Sequence, residues 1–285
     1  MPGVGVTAFI FEGGQSTSAI GDQLAGVREA AALDLVERLL RIDGFSEVVV
    51  GSDRPRLLRE ARALGAGVET LEGRRFHLGA SLLRLVRKYR PAAVLCVGGA
   101  SAPLIRDGDL EAIVQALQED GVVVVNNVLS ADIVGFRPAA ALERVNLPGG
   151  DNFLGYLLRE AGLRRVLLEN APWVNFDLDT PTDVLVMSLC HGMGPRTAAA
   201  ASSVGWPRGR VERALAALRE GEPPEVLLAG RVGPWVVDSL NQELKCRVRV
   251  FSEERGMKAL GREERGEVRS ILGRLVDTAG IRAFL

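Results

Sequence analysis

The sequence predicts an α/β fold, a three-layer sandwich on a mainly parallel central sheet, with a smaller C-terminal α/β segment. Three observations carry that prediction. Short apolar runs alternate with amphipathic helical stretches from Val4 to about His191. The runs are apolar on both faces, as in parallel strands covered by helices on both sides. Several of them end in glycine-rich or small polar sequences, the usual ligand edge of such sheets.

Residues 4–11 read as a buried first strand, feeding a loop made of Glu12-Gly13-Gly14 and Gln15-Ser16-Thr17-Ser18. A helix follows, with Leu35, Val36, Leu39 and Leu40 on one face and Glu37, Arg38 and Arg41 on the other; Gly44 stops it. Residues 47–50 form a β-branched strand ending in Gly51-Ser52-Asp53, and Pro55 opens a helix closed by Gly65. The alternation repeats through a strand at 68–71, a helix at 80–89, and a strand at 93–97 that ends in Gly98-Gly99-Ala100-Ser101-Ala102-Pro103. Helix 110–117, strand 122–125 with Asn126-Asn127 after it, and strand 132–136 come next. Asp151 reads as the cap of a helix carrying Phe153, Leu154, Leu157 and Leu158. Beyond His191 the texture changes. Residues 192–203 read as a loop or weak helix, 211–218, 236–244 and 268–276 as helices, and 226–229 and 248–251 as strands. The expected division is residues 1–204 and 205–285.

Composition narrows the function classes. A net charge of -1 over 285 residues lacks the electrostatic footprint of a nucleic-acid or anionic-membrane partner. The apolar runs are far shorter than the roughly 20 residues of a membrane span, and no basic-then-apolar leader opens the chain. Cys96, Cys190 and Cys246 are odd in number and widely spaced, which excludes a disulfide scaffold and a zinc knuckle. A soluble, cytoplasmic chain is expected.

The stretch of residues 166–183 holds the sharpest chemical signal. An apolar run leads to Asp177 and Asp179, and Thr180-Pro181 then opens a helix. In a strand, positions i and i+2 share a face, so both carboxylates would project together and invite a hydrated divalent cation. The plainer reading is a helix start, with Thr180 or Asp179 as N-cap, Pro181 at N1 and Asp183 in the first turn. Neither G-x-x-x-x-G-K-[ST] nor G-x-G-x-x-G is present, and residues 12–26 contain no Lys or Arg. A phosphate held there would rest on backbone amides, hydroxyls or a metal. His77 reads as a surface residue and His191 as a helix-end residue rather than as bases.

The order of these pieces resembles the nucleotidyltransferases of the nucleotide-diphospho-sugar transferase (glycosyltransferase-A-like) superfamily. Within it the chain is most similar to the molybdenum-cofactor guanylyl- and cytidylyltransferases and the 2-phospho-L-lactate guanylyltransferases. The late Asp-(Ile/Val)-Asp-Thr-Pro-Glu-Asp-Leu of those enzymes is matched by Asp177-Leu178-Asp179-Thr180-Pro181-Thr182-Asp183-Val184, and the stretch at 147–153 is similar in spacing. The resemblance implies an NTP or nucleotide-sugar bound with Mg2+ or Mn2+, and nucleotidyl transfer to a small phosphorylated metabolite. It implies Asp177 and Asp179 as catalytic and metal-binding residues. Gly13, Gly14, Ser16, Thr17, Ser18, Gly98, Gly99, Ser101, Asn127 and Asp132 are the implied nucleotide-binding set, and homodimerisation is left open. Relatives carry an arginine and a lysine around the first loop and an aspartate after the central strand. This chain has Glu12-Gly13-Gly14-Gln15-Ser16-Thr17-Ser18 and Gly98-Gly99 there instead. Either Glu12, Asp53 or Asp132 with an arginine such as Arg28 or Arg106 has rebuilt the site, or a nucleotide- or partner-binding role without catalysis remains. A Rossmann-type cofactor protein is the other alternative, lowered by the missing G-x-G-x-x-G.

Overall fold

The computed structural model describes residues 3–284 except 15, 72–75, 129, 148–152, 169–171, 220, 221, 223, 245, 254–256, 258–261 and 264. The Asp151 cap and most of the 147–153 stretch expected from the sequence lie outside the described residues. The chain divides into two compact units, Met1–Trp206 and Pro207–Leu285.

In the first unit, seven strands form one sheet. They are β1 (Val6–Phe11), β2 (Phe45–Ser52), β3 (Gly67–Thr70), β4 (Ala93–Gly98), β5 (Val122–Val125), β6 (Ile133–Arg137) and β7 (Arg164–Leu167), in the order β3-β2-β1-β4-β6-β5-β7. All pairs are parallel except those of β6, which runs antiparallel to β4 and β5. That reversal brings Asp132, just ahead of β6, to the edge where the parallel strands end.

Helices α1 (Ala19–Arg41), α2 (Pro55–Ala63) and α4 (Asp107–Ala116) cover one face; α3 (Leu78–Tyr89) and α5 (Leu154–Glu160) cover the other. Strand alternation sorts β1 between them, Ala8 and Ile10 into one core, Phe9 and Phe11 into the second. All four valines of β5 are completely buried, two toward each side. At about 1.5–3 kcal/mol per buried aliphatic side chain, this explains how so short a strand sits inside the sheet.

The stretch expected as a loop or weak helix contains α8 (Pro195–Ser203), which packs on α1. Its start is capped from a distant residue. Asp34 of α1 accepts from the Arg196 and Thr197 amides at 3.2 and 2.8 Å and from the Thr197 hydroxyl at 2.6 Å. A side chain at 194 would put its Cβ 2.2 Å from an Asp34 oxygen, so Gly194 lets the carboxylate approach. Thr197 is 1% exposed, and Asp34→Ala would leave its donors without this acceptor. We expect a loss of about 2–3 kcal/mol in urea unfolding, with Asp34→Asn milder; a loss below about 0.5 kcal/mol would contradict this role.

In the second unit, β8 (Glu225–Gly230) and β9 (Arg247–Ser252) pair in parallel. The helices α9 (Gly209–Arg219), α10 (Pro234–Gln242), α11 (Ile271–Ala279) and α12 (Ile281–Phe284) accompany them. No helix among the described residues is long and apolar enough to cross a membrane.

Candidate functional site

The segment holding Asp177 is not the strand that its sequence suggests. Strand β7 stops at Leu167, and a short helix, α6 (Pro172–Asn175), intervenes. Asp177 instead forms an isolated antiparallel bridge with Ser101 in the loop after β4. The Ala102 amide donates to the Phe176 carbonyl at 2.8 Å and the Leu178 amide to the Ala100 carbonyl at 3.3 Å. Leu178 is fully buried and anchors the segment. The next helix, α7 (Pro181–Met187), begins with a reciprocal cap: Thr180 Oγ1 accepts from the Asp183 amide, while Asp183 Oδ2 accepts from the Thr180 and Asp179 amides at 2.6 and 3.1 Å. The helix-start reading is therefore correct, and the two aspartates sit immediately ahead of it.

Arg28 of α1 joins this segment to the end of β1. Its Nε and Nη2 donate to the two Glu12 carboxylate oxygens at 3.0 and 3.2 Å, a bidentate pair. Its Nη1 donates to the Leu178 carbonyl at 2.7 Å and to Asp179 at 3.2 Å. Burial alone would lower the Arg28 pKa; Glu12, Asp177 and Asp179 outweigh it and hold the group above its ordinary value.

Asp177 sits in a different environment from Asp179. Burial first, then the charges of Asp132 and Asp179, push its carboxyl up to about 7, against the opposing pull of Arg28 and of the Leu178 amide. One carboxylate is thus clamped by an arginine, while the other is desolvated and repelled by its neighbours. That contrast is common at functional sites.

Gly99 explains why the central loop carries no acid. A Cβ there would lie 2.7 Å from the Glu12 Cβ and 2.8 Å from the Ala32 Cβ. The buried Glu12 and α1 occupy the space that a side chain would need. Gly98, next to it, ends β4, and its amide donates to the Asp132 carbonyl at 3.3 Å, which ties the β4 loop to the start of β6.

The first-loop residues are largely committed to their own backbone. Ser16 Oγ donates to the Ser18 carbonyl and accepts from the Ser18 amide, and Ser18 caps α1 by accepting from the Gly21 amide at 3.1 Å. Thr17 and Gly13 are exposed. The Gly14 amide donates to Asp53 at 3.1 Å. Ser101 is buried under the bridge to Asp177. Asn127 holds a turn, accepting from the Ser130 amide at 3.3 Å. The structure thus brings Gly98, Gly99, Ser101, Asp132, Asp177 and Asp179 together, with Glu12 and Arg28.

Two residues outside the expected binding set help to build this edge. Asn126 is 5% exposed; its side chain accepts from the Ile133 amide and donates to the Val174 carbonyl, fastening β5 to β6 and to α6. Arg54, the residue after Ser52-Asp53, pairs with Glu29 at 2.7 Å and donates to the Gly14 carbonyl at 2.5 Å. The only sequence signal for either was its place beside a strand end.

Two hollows flank the cluster. A groove of about 460 Å³ is lined by Gly14, Ser16, Asp22, Glu29, Arg54 and Arg56. A slot of about 120 Å³, walled by Phe11, Phe76, Leu78, Val97 and Leu154, opens beside Asp132. Phe11 and Phe76 lie with ring centroids 5.8 Å apart.

No protein-family model matches the chain. A phosphoenolpyruvate guanylyltransferase of Streptomyces coelicolor is 30% identical over 183 residues, which cover 62% of this chain and 83% of that protein. One from Rubrobacter xylanophilus is 31% identical over 176 residues, 58% of this chain and 83% of that protein. Among solved structures, a Desulfovibrio desulfuricans protein described as a nucleotide-diphospho-sugar transferase superposes with a TM-score of 0.52 at 15% identity, covering 70% of this chain and 94% of the other. That likeness is one of fold.

Proposed function

The chain belongs to the phosphoenolpyruvate guanylyltransferase family, and from that premise we propose that it transfers a guanylyl group from GTP to a small phosphorylated acid. The observation that carries the reading is the D-x-D-T-P-x-D segment folded against the β4 loop, with the repelled Asp177 carboxyl beside Asp132 at the strand ends. In the reaction, an oxygen of the acceptor phosphate attacks the α-phosphorus of GTP. A new P–O bond forms, the bond to the β-phosphate oxygen breaks, and pyrophosphate leaves. Such transfers depend on positioning and charge neutralisation more than on a general base.

The residues fit a divalent cation of the Mg2+ type. Their donors are hard carboxylate oxygens whose mutual repulsion Arg28 only partly offsets. Among the described residues no three His, Cys, Asp or Glu side chains form a metal cage. The fit is therefore to an ion held by one or two carboxylates together with substrate phosphates and water, the usual manner for Mg2+. Asp177 and Asp132 would hold it, with Asp179 kept beside them by Arg28. When bound, the cation would neutralise charge developing on the phosphates. The aromatic slot at Phe11 and Phe76 suits a planar base, and the Gly14–Arg54 groove lies beside the first loop. The three free cysteines accord with a reducing, cytoplasmic location.

Thermal-shift measurements with GTP, CTP, ATP and UTP, each with and without Mg2+ or Mn2+, test this reading. We expect a cation-dependent shift largest with GTP, lost in Asp177→Ala. A shift that survives that substitution removes Asp177 from the site. A second reading, nucleotide binding without transfer, is favoured by the walled-in Gly99. Cation-dependent GTP binding, with no pyrophosphate released from GTP in the presence of any phosphorylated three-carbon acid, would select it.

A further inference from the structure

Arg28 lies where the β1 end, α1 and the D-x-D segment meet, and each of its three guanidinium nitrogens donates to a neighbour. Two hold Glu12, whose side chain is fully buried. The third bonds the Leu178 carbonyl, the peptide oxygen between the two aspartates, and Asp179. A contact at that carbonyl orients the Leu178–Asp179 peptide plane and, with the bond to Asp179 itself, fixes Asp179 relative to Asp177, two residues back on the same short segment. Glu12 in turn fixes the guanidinium. It is buried against Gly99, where even an added Cβ would lie 2.7 Å from the Glu12 Cβ.

We infer that Arg28 is a positioning residue, braced by Glu12, that holds the D-x-D carboxylates in the arrangement required for cation-dependent nucleotide binding. The inference rests on the nucleotide-and-cation reading above. It also makes an unusual demand on sign. Removing a positive charge near a dication site should, by Coulomb's law, tighten cation binding. Loss of positioning does the reverse, whereas an Arg28 that is only a structural ion pair leaves the Coulombic tightening unopposed.

The test uses the full chain, Mn2+ titrated by electron paramagnetic resonance with and without GTP, and amide hydrogen exchange on the nucleotide-free protein. Arg28→Met and Arg28→Lys are compared with Asp34→Ala, which weakens the α8 cap and does not touch the D-x-D segment. We expect Arg28→Met to bind Mn2+ at least tenfold more weakly. Arg28→Lys should recover part of the loss, because an ammonium keeps the charge but not the bidentate fork. Asp34→Ala should bind like wild type. The amides of Leu178, Asp179 and Thr180 should exchange at least tenfold faster in Arg28→Met and at the wild-type rate in Asp34→Ala. Equal or tighter Mn2+ binding by Arg28→Met, or unchanged exchange, overturns the inference. A wild-type chain that binds no Mn2+ overturns the underlying reading and the proposed role with it, and faster exchange would then mark Arg28 as a structural contact alone.

Discussion

Replacing Gly99 by alanine is expected to destabilise the first unit by about 3 kcal/mol, the upper range for forcing atoms into a filled interior. The new methyl would sit 2.7 and 2.8 Å from two Cβ atoms, those of Glu12 and Ala32. Neither neighbour is the free end of a flexible chain. Ala32 is fully buried in α1, and Glu12 is fixed by Arg28 and by the hydrogen bond that its amide donates to the Gly51 carbonyl. Gly99 itself donates to the Phe11 carbonyl at 2.9 Å, so the loop cannot back away without breaking the sheet edge. Gly99→Asp restores the acid found in relatives on paper, yet should be at least as destabilising and add no Mn2+ affinity. Urea unfolding of both variants measures this. A Gly99→Ala protein within about 0.5 kcal/mol of wild type, the ordinary range for a harmless surface change, would falsify the account of why this loop has no carboxylate.

The second large effect concerns Asp177 and has opposite signs for stability and for binding. Its carboxyl holds a proton more tightly in the folded chain than in the unfolded one. Such a group favours the fold at low pH and loses that contribution as pH rises. For Asp177 the loss runs from the ordinary value of 3.8 to about 7. Above that range the folded protein bears the full cost of a desolvated carboxylate facing Asp132 and Asp179. Asp177→Asn removes the charge and keeps the shape. Discounted for partial exposure, we expect it to stabilise the nucleotide-free chain at pH 8 by about 1–2 kcal/mol, or roughly 2–8 °C in melting temperature for a unit of this size. The gain should shrink toward zero at pH 4.5, where the wild-type group is already protonated. The same variant should lose the cation-dependent shift with GTP. Stability bought back by deleting a binding group is the expected trade at a functional site. A variant less stable than wild type at pH 8 would show that the carboxylate is adequately compensated.

The alternation of apolar runs and helices was legible along the chain because the central strands β1, β4, β5 and β6 bury both faces and the helices on them one stripe. Those are local patterns of residue type. The glycine and proline stops were legible for the same reason: Gly44, Pro55 and Pro181 act on the backbone within a few residues. The D-x-D-T-P-x-D motif was equally plain, and its Thr180–Asp183 cap is a contact three residues long. By contrast, the glycine, alanine and serine of residues 192–203 predict a loop or weak helix, and nothing local reveals the cap of α8, because Asp34 is far away in the sequence. The bend of chain at α6, which takes Asp177 off β7 and onto Ser101, also has no local signal.

Local residue pattern specifies a layered α/β chain with a capped helix start preceded by two aspartates. The tertiary structure makes these aspartates differ, since burial and charge depend on what lies across the site. Arg28, well over a hundred residues earlier, neutralises Asp179, while Asp132, at the start of a reversed strand, repels Asp177. It also decided that Gly99 is an excluded side chain rather than a missing one, because the atoms that exclude it come from β1's end and from α1. Electrostatic and steric terms act through space, and residues far apart in the chain supply them.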